Sequence, residues 1–412
     1  MKKILTIILI IFSYNLSFSQ WTQSGFLNGR QVNFFNRNLN YLFSGTAQNG
    51  LYRSTNNGDE WFPFNTNISS TSITGIISQN YVTYLSALGG GVFKSDSGNY
   101  FQSINGNLSY FGVDVLAIKD NYIFAFMDNR KIFRTSDGGN FWSGCSSGMN
   151  AVKFTSSGVL NNNIFIGTVG SGIYKSTNNG EFWFQVNNGL ANLSINVIKV
   201  YGNKIYAGTQ NGLYFTTDNG NIWSQMQTNF LNNNIKALEM SGNYIFAGTH
   251  GAGIYKSSNL GQNWITINEG LYVLYINTIY KDINYLFAGA GLGGALRRPL
   301  SQVISVKKIS SEVPSEFELG QNYPNSFNSV TSIKFKVINI SPYPLRSGIQ
   351  VVLRVFDISG KEIAILINEK LEPGIYETRF NAGELSSGVY FYNLVAENGK
   401  SFSQVRKMII LK

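Results

Sequence analysis

The sequence holds one histidine, His250, and one cysteine, Cys145, and these two residues bound the chemistry it can offer. A Ser–His–Asp nucleophile needs an imidazole held between a hydroxyl and a carboxylate, and a multi-histidine metal site needs several imidazoles. His250 would have to act alone in either case, and its phrase Thr249-His250-Gly251-Ala252-Gly253 reads as a hairpin loop carrying an exposed polar residue. Glycoside hydrolysis needs two carboxylates at a set separation. The stray acids Asp114, Asp120 and Asp128 have no sequence context that pairs them. Cys145 has no partner for an intrachain disulfide and reads as a small buried hydrophobe beside Trp142. No catalytic, metal or cofactor residue is assigned, and the expectation is a protein that is not an enzyme.

Composition points to the kind of scaffold that could position such residues. Of 412 residues, 43% are apolar and only 13% charged, while 43 are glycine. Asn and Gly tolerate positive φ, so a chain rich in both is built for tight turns between strands. The net charge of +10 falls to +8 without Lys2 and Lys3. Residues 20–302 hold 17 basic and 12 acidic side chains, and residues 321–412 hold 11 and 7. The excess is spread out rather than gathered into a basic stripe with interleaved aromatics, which argues against nucleic acid as a partner.

The first residues address the chain. Lys2 and Lys3 precede an apolar run, Ile4 to Phe12, that is too short to span a bilayer, and Ser17 and Ser19 follow as small residues before a cleavage point. Residues 1–19 are expected to be a signal peptide, with Gln20 the mature N-terminus. No later apolar run approaches the ~20 residues of a membrane span, so the mature protein is expected to be soluble and free of transmembrane segments.

One octet recurs: STNNGDEW (54–61), TSDGGNFW (135–142), STNNGEFW (176–183), TTDNGNIW (216–223) and SSNLGQNW (257–264), with a shortened copy ending at Phe101. The closing aromatics Trp61, Phe101, Trp142, Trp183, Trp223 and Trp264 are separated by 40, 41, 41, 40 and 41 residues, and Trp21 lies 40 before Trp61. A second phrase, exemplified by Tyr244-Ile245-Phe246-Ala247-Gly248-Thr249, begins at 41, 81, 122, 163, 204, 244 and 285. Each copy holds two short β-type runs around a Gly-rich turn; a third run precedes it and a fourth starts at each Trp. Four strands per ~40 residues is the blade of a β-propeller. The seventh phrase has no Trp and Trp21 has no phrase, so the two deficits cancel if residues near Trp21 supply the last strand of a seventh blade. Ring closure also removes exposed sheet edges. The expected propeller spans residues 20–302.

The octets resemble Asp-box (BNR-type) repeats, found in sialidases, sortilin-like receptors, photosystem assembly factors and some xyloglucanases. The box residues are expected to staple turns: Ser54, Asn56, Gly58 and Trp61; Asp137, Gly139 and Trp142; Asn178, Gly180 and Trp183; Asp218, Gly220 and Trp223; Asn259, Gly261 and Trp264. The hydroxyl and the Asp or Asn oxygen cap backbone N–H groups, Gly takes a conformation costly to other residues, and Trp packs between blades. Asn in three of the five boxes is a poorer calcium ligand than Asp, so structure rather than metal is expected. A basic residue precedes most octets (Arg53, Lys94, Arg134, Lys175 and Lys256, with Phe215 the exception) and is expected to lie along its strand and snorkel to solvent. Sialidases of this kind carry an arginine triad, a Tyr–Glu pair and an Arg-Ile-Pro motif. This sequence has no Arg-Ile-Pro, and its propeller has only seven arginines.

After Pro299 the repeat stops. Residues 303–320 read as a linker, and 321–412 as a small β-sandwich with Gly turns at Gly360, Gly374, Gly388 and Gly399. The phrases Gln321-Asn322-Tyr323-Pro324-Asn325, Val355-Phe356-Asp357 through Gly360-Lys361, Ser387-Gly388-Val389-Tyr390 and Lys407 to Lys412 are similar to the type A C-terminal sorting domain of the Por (type IX) secretion system. Ser326 and Ser329 stand where that family usually has Pro, and residues 338–350 are longer than usual. The resemblance implies the type IX machinery as partner and a secreted or outer-surface location.

In Asp-box propellers the boxes lie opposite the usual ligand face. The candidate face here is therefore made of the other hairpin turns, with Asp128, Arg130, Lys131 and His250 on it. These turns are Gly-rich and weakly charged. They suit an extracellular carbohydrate or protein ligand, with an extracellular glycoside hydrolase of sialidase-like or polysaccharide-acting type as the alternative.

Overall fold

The computed structural model describes residues 20–412 except 26, 39–40, 80, 283, 301–302, 304–306, 311, 329, 339–348, 383–384 and 398–400. The expected signal peptide at 1–19, Ser329, most of 338–350 and the turn at Gly399 lie outside the described residues. Among those described there is no α-helix, and no helix long and apolar enough to cross a membrane.

Seven four-stranded antiparallel sheets succeed one another in the repeat region, each assembled from consecutive strands. The first runs Val32–Arg37, Leu42–Thr46, Leu51–Ser54 and Phe62–Pro63. The second to sixth repeat this plan over 73–103, 113–144, 154–185, 195–226 and 235–266. The seventh takes three strands from Ile276–Lys281, Tyr285–Ala290 and Ala295–Pro299 and its outermost from Thr22–Gln23, which pairs Thr22 with Arg297. The first strand of each sheet packs on the first strand of the next, and Ile276–Lys281 packs on Val32–Arg37, so the contacts run in a closed cycle. The outermost strands are only two or three residues long, leaving little unpaired edge for another chain to use.

The tryptophans explain why the sheets stack. Trp142, Trp183 and Trp223 are buried, and their indole N–H groups donate to the carbonyls of Ile104, Cys145 and Val186, each three residues after the closing aromatic of the preceding sheet. Trp21 does the same across the chain ends, donating to Ile267 O at 2.6 Å, while its backbone N–H reaches Glu269 O at 2.7 Å. The loop before each Trp must come very close. A Cβ at Gly189 or Gly270 would stand 2.0 or 2.4 Å from the carbonyl oxygen of Trp223 or Trp21, so glycine is required there.

The C-terminal region folds as two packed sheets, one of Glu362–Leu371, Ile349–Phe356, Gly388–Glu397 and Ser401–Ile410, the other of Lys307–Ser310, Gly374–Asn381, Val330–Val337 and Glu318–Leu319. Val330–Val337 and Ile349–Phe356 alternate outward and inward side chains, as two sheets facing one core require. Residues 303–320, expected as a linker, are therefore corrected: Lys307–Ser310 pairs with Gly374–Asn381, and Glu318–Leu319 with Val330–Val337. Leu319 is buried in the sandwich core, which ties the segment to that domain.

Candidate functional site

Third and fourth strands are joined by the octet turns, and the hydrogen bonds show what each residue does. Thr135 Oγ1 donates to Asp137 Oδ1 at 2.7 Å and accepts from Gly139 N at 3.1 Å, while Asp137 Oδ1 also accepts from Asn140 N and Phe141 N. Thr216, Asp218, Gly220 and Ile222 repeat the pattern. With an amide in place of the carboxylate, Ser54 and Asn56, Ser176 and Asn178, and Ser257 and Asn259 make the same bonds to Gly58 and Glu60, Gly180 and Phe182, and Gly261 and Asn263. Backbone N–H donors, Phe141 foremost, hold the Asp137 carboxyl below its usual range; the Thr216 hydroxyl, then Ile222 N–H, do so for Asp218. No group of three His, Cys, Asp or Glu side chains that could hold a metal occurs among the described residues.

The basic residues before the octets do not simply reach into solvent. Arg53 donates to Gly98 O, Lys175 to Asn219 O at 3.0 Å, Arg134 to Asn179 O, and Arg297 to Asn57 O at 3.0 Å: in each case the backbone of the next sheet's octet turn. Their charged groups lie over the rings of Tyr41, Phe165, Tyr122 and Tyr285. The correction has a geometric cause, since neighbouring sheets are close enough for the cation to span them before it meets water. Lys94 instead pairs with Asp96 of its own octet.

The opposite end of the ring carries the second-to-third-strand turns and the loops linking one sheet to the next. These turns are pinned by the loops: Gly89 N to Phe111 O, Asn129 N to Val152 O, Gly172 N to Leu193 O, and Gly251 N to Leu274 O. At this end each first strand carries a bulge at its second residue, where the pairing skips one position. The skipped residues are Asn33, Thr74, Asp114, Thr155, Asn196, Lys236 and Asn277, all polar. Several clasp the next sheet: Thr74 Oγ1 donates to Val113 O, Asp114 Oδ2 accepts from Phe154 N, Asn196 Nδ2 donates to Ile235 O, and Asn277 Nδ2 donates to Val32 O. The result is a polar ring around the innermost strands. Its repeat at intervals of 40 or 41 residues was available in the sequence, but a polar residue between two apolar ones reads as ordinary strand alternation.

Outside that ring, exposed apolar side chains are interspersed with polar ones such as Asn129, Arg130 and Lys131. Leu88, Phe111, Val152, Leu231, Tyr275 and Leu292 are exposed there, Leu231 at 91%. Of the residues expected on this face, Asp128 and Lys131 come together at Tyr110: Asp128 raises the phenol pKa, and the Lys131 ammonium lies 4.7 Å from the ring centre. Arg130 is exposed in the same turn with φ 66°. Asp114, which the sequence offered only as a stray acid, adjoins this group; burial raises its pKa, and the Lys153 ammonium and Phe154 N–H pull the other way. His250 stands apart in the sixth sheet's turn, its ring edge-on to Tyr275 at 4.8 Å.

In the sandwich, Asn322 is buried; its N–H donates to the Tyr392 hydroxyl and its amide to Pro324 O and Thr331 Oγ1. Tyr323 exchanges backbone hydrogen bonds with Ser332 and points its ring to solvent. Asn325 Oδ1 accepts from Ile409 N, and Gln321 donates to Lys407 O, so the loop binds the last strand. Asp357 caps the turn at Gly360 (φ 83°) through Ser359 and Lys361, which lowers its pKa. The Tyr390 hydroxyl donates to Ser386 O just before Gly388.

Residues 321–411 match the family model of the secretion system C-terminal sorting domain. No curated protein matches the chain. Among solved structures, YCF48 from Cyanidioschyzon merolae is similar over 68% of this chain and 98% of its own, at 15% identity and TM-score 0.56; a second YCF48 structure, also with a TM-score above 0.5, holds a D1 peptide. PorZ, a surface component of the type IX secretion system of Porphyromonas gingivalis, is similar over 93% of this chain, at 12% identity and TM-score 0.55. The extracellular domain of BT3049, a hybrid two-component system of B. thetaiotaomicron, covers 94% at 16% identity and TM-score 0.56. The chain spans 59% of PorZ and 56% of the BT3049 domain. Taken with the geometry, these likenesses show an all-β chain that joins a β-propeller to a type IX sorting domain and is exported to the cell surface or beyond.

Proposed function

We propose that this protein is a non-catalytic recognition propeller, closed by its own chain ends into seven blades and stapled by Asp-boxes. It leaves the cytoplasm on an N-terminal signal peptide, is delivered by its sorting domain, and binds a carbohydrate or protein ligand on the face opposite the octet turns. The observation that carries the reading is the contrast between the two ends of the ring. Both ends expose apolar side chains, Phe141, Phe182 and Ile222 among the octets and Leu88, Phe111, Val152, Leu231, Tyr275 and Leu292 at the other end. The octet turns, however, have their polar groups spent on one another, whereas the other end sets its apolar groups around a polar centre. Exposed apolar and aromatic groups rimmed by polar ones mark recognition surfaces, and loops on a rigid scaffold are where recognition resides. The YCF48 structure with a bound peptide supports a protein segment as ligand for this fold. The purified mature protein is to be tested on arrays of glycans, polysaccharides and host surface proteins. Binding that is lost in Leu231→Ser/Leu292→Ser and kept in Phe141→Ser supports the reading; the reverse pattern overturns it.

One observation favours a second reading, an extracellular glycoside hydrolase. Asp114, with its raised pKa, and Asp128, near Tyr110, bring two carboxyls and a phenol to one part of the face. A carboxyl with a raised pKa, such as Asp114, suits a general acid. Hydrolysis of any array polysaccharide that Asp114→Asn abolishes would select this reading over the first.

A further inference from the structure

The repeats serve as internal controls, and one inter-sheet boundary departs from them at several positions at once. Between the fifth and sixth sheets the cation that elsewhere precedes the octet is Phe215, and the ring that elsewhere lies beneath it is Lys204, so the pair survives with its members exchanged. Where Gly148, Gly189 and Gly270 let a loop close on the next Trp, this boundary has Asn229, which, like Asn107 at an earlier boundary, donates its amide to the carbonyl of that Trp. Trp264 is not seated as Trp142, Trp183 and Trp223 are: its indole N–H donates to Gly261 O of its own octet at 3.1 Å rather than to the preceding sheet. Leu260 adopts a left-handed φ of 55° where the other octets place Asn57, Asn179 and Asn219. That conformation is costly for leucine.

What these changes open is a cleft of about 430 Å³ lined by Lys204, Tyr206, Phe215, Met226, Leu260 and Gln262. That size is within the range of small-molecule sites. Its walls mix apolar and aromatic side chains with the amides of Gln225, Gln227 and Gln262. The Lys204 ammonium lies 5.6 Å from the centre of the Phe215 ring and has no carbonyl or carboxylate partner among the described residues, unlike Arg53, Arg134, Lys175 and Arg297. We propose that this cleft binds a small apolar monocarboxylate, its body against Phe215, Met226 and Leu260 and its carboxylate on Lys204. The site is separate from the recognition face and does not rest on that reading.

The test uses the mature chain labelled with ¹³C at the methionine methyls. Met226 is partly exposed in the cleft, whereas Met127, Met149, Met240 and Met408 are buried and serve as controls. Titration with 4-phenylbutyrate should shift the Met226 methyl saturably and leave the others in place. Lys204→Gln should weaken the carboxylate about three- to tenfold, as for a half-exposed ion pair, while the neutral amide analogue should bind weakly and equally to both proteins. Leu260→Asn, which restores the residue of the other octets, should stay folded and abolish the Met226 response. A Met226 methyl unmoved at millimolar ligand overturns the proposal. So does equal affinity for acid and amide, or undiminished binding in Lys204→Gln. Should the restored variant misfold, the Lys204 and amide arms still decide.

Discussion

Replacing Trp21 by alanine tests whether the chain ends hold the ring. Trp21 is 2% exposed, donates its indole N–H to Ile267 O and its backbone N–H to Glu269 O, and stands before the strand that pairs with Ala295–Pro299. Burying a Trp and then deleting it costs about 3–5 kcal/mol in a packed core. Ile267 O also loses its indole donor, which adds about 1 kcal/mol. A terminal residue far from any closure would cost almost nothing, since chain ends normally tolerate change. Urea unfolding of the purified mature protein, followed by near-UV circular dichroism, should show a loss of roughly 4–6 kcal/mol with an unchanged slope. Trp264→Ala, whose indole bonds only its own turn, should cost less. Removing residues 20–30 should destabilise further and promote aggregation through the exposed edge, and moving them to follow Leu300 with the sorting domain removed should restore folding. If Trp21→Ala is within about 1 kcal/mol of wild type, the closure argument is wrong.

Three further outcomes are expected. The carboxyls of Asp137 and Asp218 have lowered pKa values, so their contribution is present above the ordinary carboxylate range and is lost as pH falls through their folded values. Asp137→Asn/Asp218→Asn should therefore match wild type at pH 7 and flatten the acid limb of thermal stability below about pH 4; an acid limb of unchanged steepness would contradict this. Arg134→Gln should cost about 1 kcal/mol by losing the bond to the next sheet's Asn179, read by the same urea assay, and no change would return the residue to solvent. Deleting residues 321–412 should leave a folded propeller in the periplasm of the native host, and fractionation finding wild-type amounts outside the cell would refute the sorting role.

Much of the fold was legible because its repeat is carried by residues with local backbone tasks. Thr135, Asp137 and Gly139 act within five positions of one another, and their spacing survives in a single sequence. Trp21 was legible because it shares the register of the other five tryptophans. What depends on inter-sheet distance was not. Arg134 and Lys175 looked like solvated stems, because nothing in the sequence says that the next octet's carbonyl lies within reach. Lys307–Ser310 and Glu318–Leu319 are too short and too mixed in composition to announce strands. On the candidate face, Asp128 and Lys131 were found as turn residues, but Tyr110 joins them only through a loop that shares no pattern, and Asp114, at its strand's bulge, reads in the sequence as ordinary strand alternation.

The claim that the face opposite the octet turns does the recognising is tested most directly by hydrogen–deuterium exchange with the strongest binder from the arrays. Protection is expected in segments 88–91, 109–112, 229–233, 272–275 and 291–294, with the octet turns at 135–141 and 176–182 unchanged. Protection centred on those octet turns or on the outermost strands, with the opposite face exchanging as in the free protein, would contradict it.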